Sequence, residues 1–325
     1  MRGNMGRIVL VTGASRYLGS RIAENLAGDP GVDRVIGVDV VPPVVPIPGI
    51  DFIRADIRNP VIAKVMGDAR VDTVVHMGVI ATPKQAGGRS TMKEINVIGT
   101  MQLLAACQKT PSLQSLVVKS TSGVYGCGAK DPAMFTEDME PKHAPTAGWP
   151  KDSSEVEGYV RGFARRRPDV AVTTFRFANF MGRHIDTAMS AYFSLPVIPT
   201  VLGYDARLQF IHVDDGLEIL RRAVHARQVG TFNVAGDGVM TLSQAIRLSG
   251  HLRLALPEFL LTPVGRSLSS AGLLDFSYEQ VRFITYGRVL DTSLVSRTFD
   301  YRPDRTTQEA FEDFLARGEE MSDVA

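Results

Sequence analysis

Short apolar runs closed by turn residues alternate with amphipathic stretches through the first half of the chain. Ile8 to Val11 is unbroken and aliphatic, the pattern of a strand buried on both faces of a parallel sheet. Comparable runs recur at Gly31 to Asp39, Asp51 to Ala55, Asp72 to His76, Leu113 to Lys119 and Val170 to Phe177. Helical spacing fills the intervals. Ser20 to Ala27 continues a first helix, and Thr91 to Lys109 places Ile95, Ile98, Met101, Leu104 and Ala105 roughly on one face. Strict alternation of strands and helices predicts an α/β, Rossmann-type doubly wound parallel sheet covered by helices on both faces.

From Asn179 the alternation loosens, as expected where a chain leaves its sheet to build a smaller C-terminal substrate lobe and then returns. Residues 1–178 read as a Rossmann-type domain with returning segments from about 207–235, and 179–325 mainly as the lobe. Thr241 to Gly250 and Thr307 to Arg317 have helical patterns, the latter with Phe311, Phe314 and Leu315 on one face. The proline-rich Val41 to Gly49 reads as a stiff connection, and the polar tail as a frayed end.

The turn after the first strand carries the first chemical signal. Gly13 can reverse the chain sharply, and Gly19 lets the following helix lie close to the strand. The helix N-terminus, with free N–H groups and a positive dipole end, then faces a pyrophosphate, so Gly13, Ser15, Arg16, Tyr17, Leu18 and Gly19 are candidate cofactor contacts. The middle glycine of the usual pattern is missing. Its place falls on Arg16 or Tyr17, and the Arg16 charge can compensate. About twenty residues on, Asp39 ends the second strand, where a carboxylate accepts hydrogen bonds from an adenosine ribose and repels a 2′-phosphate, favouring NAD over NADP. Asp56, with Ile57 beside it, either meets the adenine or caps the helix after Asn59. His76 lies in an apolar run and reads as a packed core residue.

Composition narrows the class. A formal charge of +1 over 325 residues gives no case for nucleic acid or an anionic membrane as main partner. Two cysteines, Cys107 and Cys127, make neither a disulfide framework nor a metal cluster, and no signal peptide or membrane-spanning run is visible. A soluble cytoplasmic protein without metal is the expectation.

The fifth strand ends in KSTSGVYG, from Lys119 to Gly126, and here the chain resembles the extended short-chain dehydrogenase/reductase superfamily, in its NAD-dependent epimerase/dehydratase branch. Asn96 in NVIGT, Asn179 in RFANFMG, Arg207 and Asp214 in RLQFIHVDD, and Asn233 in GTFNVAG extend the likeness over almost the whole chain. More narrowly it is similar to the UDP-glucose 4-epimerase group. The resemblance implies NAD as cofactor, contacted also by Asp56, Ile57 and Asn96, and a nucleotide-sugar substrate whose diphosphate meets Asn179 and Arg207. It also implies a homodimer through the helices around Thr91 to Lys109 and Lys151 to Arg166. On the residues alone, Asn179 could cap a turn and Arg207 could pair with Asp205 or Asp214.

In such enzymes a Ser or Thr at the end of the fifth strand binds the reacting hydroxyl, and the Tyr and Lys of a YxxxK motif move the proton. Counting from VYG places Thr121, with Ser122 beside it, at the hydroxyl position, although both could simply close a strand-end turn. Lys151 matches the lysine, as a catalytic and a cofactor-binding residue. The tyrosine position is Ala147, and none of the 8 tyrosines has a lysine four residues on. Pro150 suits a helix first turn and points to a late helix start that leaves Ala147 in a loop. Two expectations stay open. In one, His143, Tyr125 or a water held by Thr121 replaces the phenol and an atypical NAD-dependent nucleotide-sugar epimerase survives. In the other, Lys151 serves cofactor binding alone, and the chain is a catalytically silent NAD-binding regulatory or ligand-sensing protein.

Overall fold

The computed structural model describes residues 6–77, 88–142, 144–261 and 278–322. The first half runs β1 (Arg7–Thr12), α1 (Tyr17–Ala27), β2 (Val32–Asp39), β3 (Ile50–Arg54), α2 (Val61–Asp68) and β4 (Thr73–His76). It continues through α3 (Arg89–Lys93), a π-helical turn (Glu94–Gly99), α4 (Thr100–Gln108), β5 (Ser115–Thr121), α5 (Gly148–Arg166) and β6 (Ala171–Phe177). Short elements follow: β7 (Asn179–Met181), α6 (Ala188–Phe193), β8 (Val197–Val201), β9 (Arg207–Leu208) and β10 (Phe210–His212). The chain then forms α7 (Val213–Ala226), β11 (Gly230–Val234), β12 (Met240–Thr241), α8 (Leu242–Ser249) and β13 (Leu252–Leu256). It ends with α9 (Tyr278–Tyr286), α10 (Ser293–Phe299) and α11 (Thr307–Ser322).

The main sheet has 7 strands in the order β11-β6-β5-β4-β1-β2-β3. Every pairing in it is parallel. Strand order reverses between β1 and β4, the switch point at which open α/β sheets take ligands beyond their carboxyl ends. Alternate strand residues supply two cores. Val9, Val11, Val75, Val117, Phe175 and Phe177 pack against α1 and α7, while Leu10, Ile36, Val74, Leu116 and Val118 pack under α4 and α5. A third cluster, including Tyr192, Phe193, Phe210 and Phe311, holds the later elements together.

The helix expected from Thr91 to Lys109 differs in its face. Ile98 and Met101 are exposed and Ala105 points outward, whereas Asn96, Val97, Gly99, Leu103 and Leu104 are buried. The π turn over Glu94–Gly99 adds a residue to the helical repeat and rotates the later positions against the earlier ones. A Cβ on Gly99 would stand 2.7 Å from the Ile57 side chain, so this turn is pressed onto the loop after β3. Among the described residues no helix is long and apolar enough to cross a membrane, and no His/Cys/Asp/Glu group could hold a metal ion. Both cysteines are buried free thiols.

Candidate functional site

At the carboxyl edge of the sheet, Gly13 takes φ +71°, a left-handed turn that glycine adopts without strain. A Cβ on Gly19 would lie 1.9 Å from the Gly13 carbonyl oxygen, so only glycine allows α1 to approach the turn this closely. Arg16 is the N-cap of α1 at φ −91°, ψ 154°, an extended conformation open to any residue. The absent middle glycine is therefore tolerated by the backbone. Among the described residues no side-chain hydrogen bond caps α1 at Arg16 and its first turn holds no acid, so its leading N–H groups and positive end remain available to an anion.

Asp39 closes β2 beneath this turn. Its Oδ2 accepts from the Ser15 N–H at 3.1 Å and its Oδ1 from the Val40 N–H at 2.7 Å. The Ser15 hydroxyl donates to the Val41 carbonyl, tying the glycine turn to the end of β2. Asp56 is engaged elsewhere: its carboxylate pairs with Arg58 at 2.7 Å, and the same arginine reaches Glu94 at 2.9 Å. The Arg58 bond holds the Asp56 carboxyl below its ordinary range. The N–H of Val61 is met by Asn59 Oδ1 at 3.0 Å, so Asn59 rather than Asp56 serves the start of α2. Ile57 is buried against Gly99.

Asn96 is fully buried, and its Nδ2 donates to Asp152 at 3.4 Å. The Thr100 hydroxyl donates to the Asn96 carbonyl at 2.6 Å and also meets His76 Nε2 at 2.9 Å, while His76 Nδ1 meets Thr12 at 2.7 Å. Burial, followed by the Lys119 charge, lowers His76 to about 4. The imidazole is thus a neutral tie between β1 and α4.

One cavity gathers Gly13, Arg16, Tyr17, Leu18, Gly19, Thr121 and Asn179. Thr121 accepts from the Gly123 N–H at 3.0 Å and so closes the turn after β5. Ser122 is buried and accepts from Arg288 at 3.0 Å. Arg288 also donates to the Gly126 carbonyl and to Cys127 Sγ, each at 3.0 Å. On the opposite face of β5, Ser120 donates to Glu157 at 2.6 Å, and Glu157 pairs with Arg176 at 2.7 Å.

Tyr125 does not present a phenol to the cavity. Its hydroxyl donates to Asn233 at 2.8 Å and accepts from Arg176 at 2.9 Å, the ring is 1% exposed, and burial raises its pKa. His143 lies outside the described residues. Ala147 is an exposed, extended N-cap (φ −149°, ψ 173°), so α5 does start beyond the tyrosine position. The first turn of α5 turns Trp149 and Pro150 to the cavity; Lys151 is half-buried and is not part of the lining. Arg207 is exposed on β9 away from the lining. Its possible acidic partners are taken, Asp205 by Ser243 at 2.7 Å and Asp214 by Arg305 at 3.3 Å.

Ser15, Asp39, Asp56, Ile57, Asn96 and Ser122 likewise stand behind or beside the cavity and not in its wall. Sequence reasoning passed over Lys119, Trp149 and Arg288, which do line it. Lys119 carried a signal, as a charge ending an apolar strand. Arg288 carried none, because its partners in the turn and loop after β5 are more than 160 positions away, as in the 166-residue separation from Ser122.

The family model described as NAD dependent epimerase/dehydratase matches residues 9–235. An uncharacterised protein of Mycobacterium tuberculosis is 44% identical over 322 residues, covering 98% of this chain and 85% of that protein. A UDP-glucose 4-epimerase of Neisseria meningitidis is 27% identical over 187 residues, 54% of each chain. The fold is that of a UDP-glucose-4-epimerase from Stenotrophomonas maltophila solved with NAD and formylated UDP-arabinopyranose. Its TM-score is 0.75 at 18% identity, over 99% of this chain and 100% of that one. A UDP-glucuronic acid 4-epimerase from Bacillus cereus, solved with UDP-glucuronic acid and NAD, scores 0.74 at 19% identity, over 97% and 99%. With its parallel sheet, glycine turn and acid-ended second strand, this chain belongs to the NAD-dependent epimerase/dehydratase family.

Proposed function

We propose that the chain binds NAD across the switch point and acts on a nucleotide sugar, as an atypical epimerase that oxidises and re-reduces one sugar carbon. The observation that carries this reading is the single cavity that runs from the uncapped end of α1 to Thr121 and Asn179. The residues fit the cofactor. The first turn of α1 and Arg16 suit a pyrophosphate, and Asp39 suits a ribose with a free 2′-hydroxyl. Bound NAD supplies a hydride acceptor. The chain supplies Thr121, whose oxygen accepts from the Gly123 N–H and has a second lone pair to receive a sugar hydroxyl, while its own proton stays free to donate. Trp149, Pro150, Phe177 and Phe180 wall the same space with apolar surface and limit the entry of water.

Lys151 and Arg207 serve this reading as contacts made when ligands are bound, and Ile98, Met101 and Tyr159, exposed on the helices of one face, as part of a homodimer interface. A monomeric mass in solution refutes the dimer. A second reading, an NAD-loaded ligand-sensing protein without turnover, is favoured by Ala147 standing where the phenol belongs. The two separate in one assay: protein with NAD and a panel of UDP- and dTDP-sugars, followed for NADH absorbance and sugar interconversion beside Lys151→Ala. Interconversion supports the enzyme; tight NAD binding with no sugar consumed supports the sensor.

A further inference from the structure

β5 carries a half-buried lysine on the face where the residue before it is buried and apolar. Val117, Lys119 and Thr121 alternate onto one side of the strand, and Val117 lies in the core against α1 and α7. Lys119 and Thr121 follow it into the cavity wall. Two strand residues span roughly 6.6 Å, about the reach of a lysine stem, so the amino group can rise to the level of the Thr121 hydroxyl.

Among the described residues none pairs or hydrogen-bonds with the Lys119 amino group. Elements packed on β5 offer it no counter-charge. His76 on β4 is neutral and bonded to two threonines. Arg176 on β6 and Glu157 on α5 pair with each other on the opposite face. On α7, Asp214 meets Arg305, Asp215 accepts backbone N–H groups of Asp304 and Arg305, Glu218 pairs with Arg221 and Arg222, and His225 meets Asp29. The cavity's other ionisable groups are Arg16, Tyr17, His184, Asp186, Glu279 and Arg288. Burial lowers Lys119 to about 8, which leaves about a tenth of it as free amine at pH 7.

We propose that Lys119 is the proton acceptor of this cavity, drawing the proton of the substrate hydroxyl through Thr121 in place of the phenol missing at Ala147. The proposal rests on the epimerase reading above. In the oxidising half, the sugar O–H bond breaks and its proton passes to the Thr121 oxygen as the Thr121 hydroxyl gives its own proton to the Lys119 amine. The sugar carbon loses hydride, with its electron pair, to the oxidised dinucleotide, and a C=O bond forms. In the return half the Lys119 ammonium gives the proton back along the same path.

The test compares Lys119→Met and Lys119→Arg with the wild type, using NAD and the panel of UDP- and dTDP-sugars. Rates are measured from about pH 6 to 10, NAD affinity by fluorescence, and lysine titration by NMR of protein labelled at lysine Cε. The Lys119 signal is the one absent from the Lys119→Met spectrum. The expected result is a signal titrating near 8 and wild-type kcat rising through the same pH. Both variants then lose at least about a hundredfold in kcat while the NAD Kd stays within about threefold. Arginine keeps the charge but cannot release its proton, so wild-type kcat in Lys119→Arg overturns the proposal, as does wild-type kcat in Lys119→Met. A Lys119 signal titrating like an ordinary exposed lysine also overturns it. Turnover by the wild type together with either result removes only the role of Lys119. No turnover of any sugar by the wild type removes the epimerase reading and this proposal with it.

Discussion

Replacing Lys119 by methionine removes a charge from the wall of β5 and leaves a side chain of similar length, so packing changes little. The ordinary lysine value is 10.5 and burial lowers Lys119 to about 8. That interval corresponds to at most about 3 kcal/mol of destabilisation by the ammonium of this half-buried side chain. Below about pH 8 the lysine is protonated in both folded and unfolded chains, and the cost is present in full. Between about 8 and 10.5 the folded chain releases its proton while the unfolded chain keeps it, so the cost shrinks; above 10.5 both are neutral and it is gone. Urea unfolding of the two proteins at several pH values reads this directly. Lys119→Met is expected to be the more stable by up to about 3 kcal/mol at pH 7, with equal m-values and a gap that closes toward pH 10.5. Equal stabilities at pH 7, or a gap that does not change with pH, would refute the reasoning, because the ammonium would then be solvated in the folded state.

Gly19→Ala forces a methyl to within 1.9 Å of the Gly13 carbonyl oxygen. It should cost about 1–3 kcal/mol and lower NAD affinity at least tenfold, read by melting with and without NAD; an unchanged Kd would remove the glycine turn from the cofactor site. Asp39→Ala should weaken NAD by about tenfold and narrow the difference between NAD and NADP in calorimetric titration, whereas an unchanged ratio contradicts a ribose contact. Burial raises Asp29, but the Gly31 N–H, Arg221 and His225 outweigh it and hold its carboxyl at about 2 against 3.8. Its stabilisation of about 2 kcal/mol is complete above pH 3.8 and lost as pH falls toward 2. Asp29→Asn should therefore lose less stability over that acid range than the wild type, and parallel acid denaturation curves would contradict the assignment.

The sheet was legible because its central parallel strands, buried on both faces, read as largely apolar runs, continuous from Ile8 to Val11 and broken only by Thr173, Thr174 and Arg176 from Val170 to Phe177. Gly13 was legible because a left-handed turn favours glycine, and Gly19 because a Cβ there would meet the Gly13 carbonyl oxygen. The buried face of the stretch from Thr91 to Lys109 was misread at Ile98, Met101 and Ala105, because a single π turn breaks the 3.6-residue repeat on which such a reading depends. Proline before Lys151 located the late start of α5, but not that Trp149 and Pro150, rather than Lys151, would face the cavity. That depends on how the loop from β5 delivers the helix. Arg288 was out of reach for a similar reason: its contacts with Ser122 and Cys127 join distant parts of the chain, and no local periodicity encodes them.

Sugar interconversion by the purified chain with NAD tests the functional account most directly, with Ala147→Tyr run in parallel. The account predicts that at least one UDP- or dTDP-sugar is converted to its epimer without net accumulation of NADH. Tight NAD binding with every sugar left unchanged, in the wild type and in Ala147→Tyr alike, would contradict it and leave a cofactor-dependent binding protein.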